Sequence, residues 1–109
     1  MKNNVSFSEN ERVLTARLDG EIDHHTARAQ REEIDSMLYQ KKPAVLEIDF
    51  SAVRFMDSSG IALIIGRADV ASGLGVSVRV IGLSPILLKL VRLSGVGKLK
   101  NLTIVEGEI

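Results

Sequence analysis

The segment Asp57-Ser58-Ser59-Gly60 places two hydroxyls between an acid and a glycine, just ahead of a long apolar stretch. A hydroxyl at the first turn of a helix lies beside unpaired N–H groups and about half a positive charge. That environment favours an anion, including a phosphoryl group carried by a nearby serine. The missing side chain at Gly60 would leave room for an approaching protein or phosphate. One interpretation of the segment is therefore a site for chemistry on a serine.

Helix capping explains the same residues. Asp and Ser are preferred cap residues, so one serine can cap while the other faces solvent, and Asp57 can either cap the helix or orient Ser58. Local sequence does not decide which of Ser58 and Ser59 has which role. Leu63 is expected towards the rim of the helix, where a partner could dock unless neighbouring elements bury it. Four residues of this helix are expected to face a sheet: Ile61, Ile64, Ile65 and Ala68.

The elements that position these serines follow from periodicity and cap signals. Alternation predicts a β-hairpin over residues 5–8 and 13–18, with its turn at Glu9-Asn10 and its end at Gly20. Asp23 caps a helix that begins near His24 and stops at residues 41–43. A strand over 44–50 and a connection over 51–57 lead to the serines.

The second half of the chain repeats this alternation of helix and strand. A helix over about 59–70 is followed by a strand at 76–81, a helix capped by Ser84 with Pro85 at its first position, and a strand at 102–106. The order ββαβαβαβ predicts an α/β fold. We expect a small mixed β-sheet of about five strands with helices packed against it.

Composition narrows the classes of function. The chain has 109 residues, zero formal net charge and no cysteine, so it fits one domain without disulfides or thiolate metal sites. No overall field steers it to nucleic acid or to an anionic membrane. The first twelve residues have no apolar signal region, and no apolar run reaches transmembrane length. We therefore expect a cytoplasmic protein with no direct DNA binding and no membrane contact.

Catalysis and metal binding are disfavoured. His24 and His25 are adjacent, so they point to different sides of a helix. No third ligand lies at a spacing typical of a metal site. Asp23, a histidine and Ser58 could suggest a hydrolase triad, but no G-x-S-x-G elbow is present. The glycines at 73 and 75 lie after a helix and before a strand, which is the wrong order for a phosphate loop. We predict no catalytic residue, no cofactor and no metal.

Three segments carry a resemblance to a known family: GEIDHHTA at 20–27, MDSSGIALIIGR at 56–67 and LSPILLKLVRLSGVGK at 83–98. They resemble bacterial anti-sigma factor antagonists, which are single-domain members of the sulfate transporter and anti-sigma factor antagonist (STAS) family. The resemblance covers essentially the whole chain and implies one STAS-type domain over residues 1–109. DHHTA at this distance from DSSG favours the sporulation type.

The resemblance also implies a mechanism of partner switching. The unphosphorylated protein would bind an anti-sigma factor that is also a serine kinase, and so release a sigma factor. The kinase would phosphorylate Ser58, and a serine phosphatase would reverse this. Asp23 would face the kinase, and Ser59 would be a neighbouring cap or contact. The implied partner surface comprises Asp23, His24, Asp57, Ser58, Ser59, Gly60 and Leu63.

Other readings stay open at this point. Ala62 stands where relatives often carry glycine, and Arg54 replaces a smaller or polar residue, so the identity of the kinase is not fixed. The alternatives are a general stress-type antagonist, a STAS subunit of another regulatory assembly or, less favoured, a module that binds a small molecule or nucleotide.

Overall fold

A five-stranded mixed sheet supports three α-helices in the computed structural model, which describes residues 4–106. The elements are β1 Val5–Asn10, β2 Val13–Ile22, α1 His24–Lys41, β3 Val45–Met56, α2 Ser58–Gly73, β4 Ser77–Ile81, α3 Pro85–Ser94, a 3₁₀ turn Val96–Lys98 and β5 Leu102–Ile104. The strands lie in the order β1-β2-β3-β4-β5, with β1 antiparallel to β2 and the others parallel. The predicted α/β class and the ββαβαβαβ order are confirmed.

The helices cover one face of the sheet, as the alternation along the strands requires. Leu46, Ile48 and Phe50 of β3 point into a single core and are almost fully buried. Glu47 and Asp49 lie between them on the opposite face and stay partly exposed. The predicted face of this strand is confirmed, and it fixes which side of the sheet carries the helices.

The hairpin turn lies two residues beyond its predicted position. Pairing continues through Glu9 with Leu14 and Asn10 with Val13, so the turn falls on residues 11 and 12. Both have positive φ, 49° and 67°, as a two-residue turn of type I′ requires. The prediction at Glu9-Asn10 was wrong because Glu and Arg seldom adopt this conformation and give no sequence signal for it.

β3 runs directly to the helix with the serines. Residues 51–56, predicted as a connection, are strand, because β2 continues past Gly20 and pairs with β3 as far as Ile22 opposite Met56. Asp57 alone separates β3 from α2, and its N–H donates to the carbonyl of Ile22 at 3.2 Å. The start of α2 is therefore joined directly to the sheet, with no flexible loop between β3 and the helix.

The third helix is amphipathic and starts where predicted. Ser84 caps it by accepting from the N–H of Leu87 at 3.3 Å, with Pro85 at the first helical position. Leu87 and Val91 are buried under the helix, whereas Leu93 is 78% exposed. No helix between residues 4 and 106 has the length and apolar character needed to cross a membrane.

Candidate functional site

The first turn of α2 presents Ser58 to solvent. Asp57 is the N-cap, and its carboxylate accepts from the N–H of Ser59 at 2.8 Å. Ser58 is the first helical residue and is exposed, and Ser59 is half-buried. Because Asp57 does the capping, neither serine hydroxyl is needed for it. Within residues 4–106 the Ser58 hydroxyl makes no hydrogen bond, so it is available to an incoming group.

The first turn of α1 lies beside it at the same edge of the sheet. Asp23 accepts from the N–H groups of His25 and Thr26 at 2.9 and 3.0 Å, and the Thr26 hydroxyl accepts from the N–H of Asp23 at 2.8 Å. This capping box confirms the predicted helix start. Hydrogen bonding from the Thr26 N–H is the main cause that lowers the pKa of Asp23 below 3.8. Two capped helix N-termini, each with an exposed carboxylate, thus share one edge.

An apolar groove lies on one side of Ser58, between α2 and α3. Its volume is about 670 Å³. Its walls carry exposed aliphatic side chains, among them Ile65, Leu90 and Leu93. The residues that line the apolar groove are Met56, Asp57, Ser58, Ile61, Ala62, Ile65, Leu90, Leu93 and Ser94. The predicted phosphorylation site therefore opens onto a surface suited to another protein.

A second depression, which we call the basic cleft, lies on the other side of α2 and is bounded by α1. Its volume is about 330 Å³. The residues that line the basic cleft are His24, Ala27, Arg28, Arg31, Ser59, Ala62 and Leu63. The adjacent serines thus open onto different surfaces, Ser58 onto the apolar groove and Ser59 onto the basic cleft.

Two residues of α2 lie opposite to their predicted positions. Leu63 is 2% exposed and forms part of the floor of the basic cleft, so its predicted place at the rim was wrong. Ile65 was expected to face the sheet but is 45% exposed. The reason is that α2 packs against α1 as well as the sheet, which rotates its buried stripe towards Leu63 and Arg67.

Gly60 serves internal packing. A Cβ at this position would lie 2.4 Å from the Sδ atom of Met56 and 3.2 Å from its Cβ. Gly60 is itself buried, so the expectation that it leaves room for a partner was wrong. Because Gly60 has no side chain, the first turn of α2 can pack closely against the end of β3.

His24 and His25 are adjacent in the first turn of α1. Their rings are 6.1 Å apart at an interplanar angle of 65°, and His24 is one of the residues that line the basic cleft. Between residues 4 and 106 no three His, Cys, Asp or Glu side chains cluster in a way that could hold a metal ion.

Arg67 is a positioning residue that sequence reasoning missed. Its side chain is 5% exposed, and its Nε donates to the carboxylate of Asp35 on α1 at 2.6 Å. Burial lowers the pKa of the Arg67 guanidinium, and the Asp35 carboxylate opposes that shift. The pair links α1 to α2, the two helices that begin next to Asp23 and Ser58. The only indication of this role in the sequence is that Arg67 follows the apolar residues after the serines.

Comparisons with known proteins agree with this fold. A family model described as the STAS domain matches residues 4–106. The anti-sigma F factor antagonist of Paenibacillus polymyxa is 30% identical over 95 residues, covering 87% of this chain and 81% of the relative. The anti-sigma-B factor antagonist of Listeria monocytogenes is 33% identical over 91 residues, covering 83% and 78%. The solved structure of the Bacillus cell fate determinant SpoIIAA in its phosphorylated form is 25% identical with a TM-score of 0.70, covering 94% of this chain and 91% of that one.

Proposed function

The chain belongs to the STAS-domain family, and from that premise we propose that it is an anti-sigma factor antagonist regulated by phosphorylation of Ser58. The unphosphorylated form binds an anti-sigma factor with serine kinase activity in the cytoplasm and so releases a sigma factor. Phosphorylation ends the interaction, and a serine phosphatase restores it. The observation that carries this proposal is the exposed, unbonded Ser58 hydroxyl at the start of α2, beside the apolar groove.

Ser58 is the phosphate acceptor in this proposal, and the chain is a substrate with no catalytic group of its own. The Ser58 oxygen attacks the γ-phosphorus of ATP, the bond between that phosphorus and the bridging oxygen breaks, and ADP leaves. The kinase supplies ATP, magnesium and the base that takes the hydroxyl proton. The N-terminus of α2 then stabilises the phosphoryl group by about 0.3–1 kcal/mol, so the fold need not change.

Phosphorylation would end binding through a local block. A partner that covers Ser58 lies over the apolar groove, where a group of about −1.5 to −2 charge would have to lose its water. A partner carboxylate about 4 Å away adds repulsion of about 4 kcal/mol per unit charge at an effective dielectric of 20. A net cost of about 3 kcal/mol weakens binding more than a hundredfold. The match to a solved relative in its phosphorylated form supports a switch that preserves the fold.

Two classes of sigma factor are candidates for regulation by this chain, a sporulation type and a general stress type. DHHTA at residues 23–27 favours a sporulation-type antagonist, and a relative named for sigma F supports it. A relative named for sigma-B, at 33% identity, favours a general stress-type antagonist. Equilibrium binding to an anti-sigma factor of each type decides between them, because the true partner should bind at least tenfold more tightly.

Phosphate transfer tests the proposal directly. The purified chain is incubated with its anti-sigma factor and magnesium ATP, and the product is analysed by mass spectrometry. We expect one added phosphoryl group on Ser58 in the native chain and in Ser59→Ala, and none in Ser58→Ala. The matched alanine variants separate the two adjacent hydroxyls. Transfer to Ser59, or undiminished transfer to Ser58→Ala, would refute the assignment.

A further inference from the structure

The basic cleft carries a stripe of three basic side chains along α1. His24, Arg28 and Arg31 are spaced four and three residues apart, so they lie on one side of the helix. All three are exposed, and they surround a floor that includes Leu63. The cleft therefore offers two guanidinium groups and an imidazole around a depression of about 330 Å³.

The positive charge of the cleft is poorly compensated. Arg28 pairs with Glu32 at 3.9 Å, but the two side chains are 71% and 66% exposed, and such pairs are weak. Arg31 forms no ion pair with any residue from 4 to 106. The nearby Asp35 carboxylate is taken by Arg67. An acidic group that entered the cleft would meet two arginines that have no strong partner.

The basic cleft is continuous with the surface around Ser58. Ala62 lines both the cleft and the apolar groove, and consecutive serines open onto the two depressions. A stable protein interface covers about 800 Å² of each partner. A protein that covers Ser58 with an interface of that size would therefore span both depressions.

We propose that the basic cleft receives an acidic side chain of the anti-sigma factor, with Arg28 and Arg31 binding its carboxylate. This inference rests on the proposed function and adds the chemistry of the partner: apolar side chains towards the groove and a carboxylate towards the cleft. Arginine suits this role because its planar group can donate two parallel hydrogen bonds to a carboxylate. Exposed charges of this kind also speed association and make it sensitive to salt.

Charge removal in the cleft tests the inference. The double variant Arg28→Gln/Arg31→Gln is compared with Arg17→Gln/Lys42→Gln, which removes the same charge on the sheet face away from the helices and at the far end of α1. Binding of each variant to the anti-sigma factor is measured by titration calorimetry and stopped-flow mixing at about 50 and about 300 mM salt. Exposed charges are screened more strongly at the higher salt concentration. All four residues are exposed, so unchanged circular dichroism serves as the folding control.

We expect the cleft variant to bind about tenfold more weakly, mostly through a slower association rate, and to lose most of its salt dependence. The control should bind like the native chain, and Arg28→Lys/Arg31→Lys should recover part of the loss. Equal affinity and equal salt dependence for cleft variant and control would overturn the inference and leave the proposed function standing. No binding by the native chain would overturn both.

Discussion

Loss of the carboxylate at Asp35 should destabilise the fold and loosen the tie between α1 and α2. In Asp35→Ala the buried guanidinium of Arg67 keeps its charge and loses the oxygen that its Nε reaches at 2.6 Å. Among residues 4–106 its remaining hydrogen bond is a longer one from Nη1 to the carbonyl of Leu63, at 3.4 Å. The variant thus leaves a charged group with 5% exposure nearly unpaired.

The magnitude follows from the exposure of the two partners. Removing one member of a buried ion pair costs about 3–5 kcal/mol, and we expect about 3 because the Asp35 side chain is 27% exposed and partly hydrated. Glu32→Ala on the same helix is the matched control. Its pair with Arg28 spans 3.9 Å between largely exposed groups and should cost less than about 0.5 kcal/mol.

Urea unfolding followed by far-ultraviolet circular dichroism measures both free energies of unfolding. A loss of about 3 kcal/mol corresponds to a fall of about 12 °C or more in the thermal midpoint of a domain this size. The double variant Asp35→Ala/Arg67→Met replaces the pair by apolar groups and should regain at least half of the loss. If Asp35→Ala costs no more than Glu32→Ala, the pair does not tie the helices.

Three further substitutions test the packing and capping around the site. Gly60→Ala should cost about 1–3 kcal/mol in urea unfolding because its Cβ would press on Met56, whereas the control Gly66→Ala, with open space around it, should gain up to about 1 kcal/mol. Gly82→Ala should cost about 2–3 kcal/mol in the same assay, since φ is +75° and a Cβ would lie 2.8 Å from a backbone nitrogen of β3. Asp23→Ala should lower stability at neutral pH. That difference from the native chain should shrink in acid denaturation below pH 3.8, because the lowered pKa of Asp23 stabilises the fold only while the carboxylate is ionised.

Sequence patterns located the elements because cap and breaker residues are local signals. Asp23 begins α1, and Ser84 with Pro85 begins α3, as the structure confirms. The length of β3 was missed because it depends on pairing with the second half of β2, which lies about thirty residues away along the chain. The sequence of β3 alone therefore does not show that β2 pairs with it over this length.

The position of the serines at a helix start was predicted, but the orientation of the helix behind them was not. An acid and two serines before an apolar run indicated an exposed hydroxyl at a helix start, and Ser58 has that position. Leu63 is buried and Ile65 is exposed, the reverse of the prediction, because α2 packs against α1. The residue pattern of α2 alone gives no information about that contact. The basic cleft likewise arises only when two helices are brought together.

The affinity of the anti-sigma factor for the chain with and without phosphate on Ser58 tests the central claim most directly. Phosphoserine is placed at residue 58 by genetic encoding or, as a control, at residue 36, an exposed serine of α1 that lines neither the apolar groove nor the basic cleft. Each form is titrated by calorimetry. We predict that phosphate on Ser58 weakens binding more than a hundredfold, while amide chemical shifts away from the start of α2 stay unchanged. Tight binding of the Ser58-phosphorylated chain, or a rearranged sheet in that form, would contradict the claim.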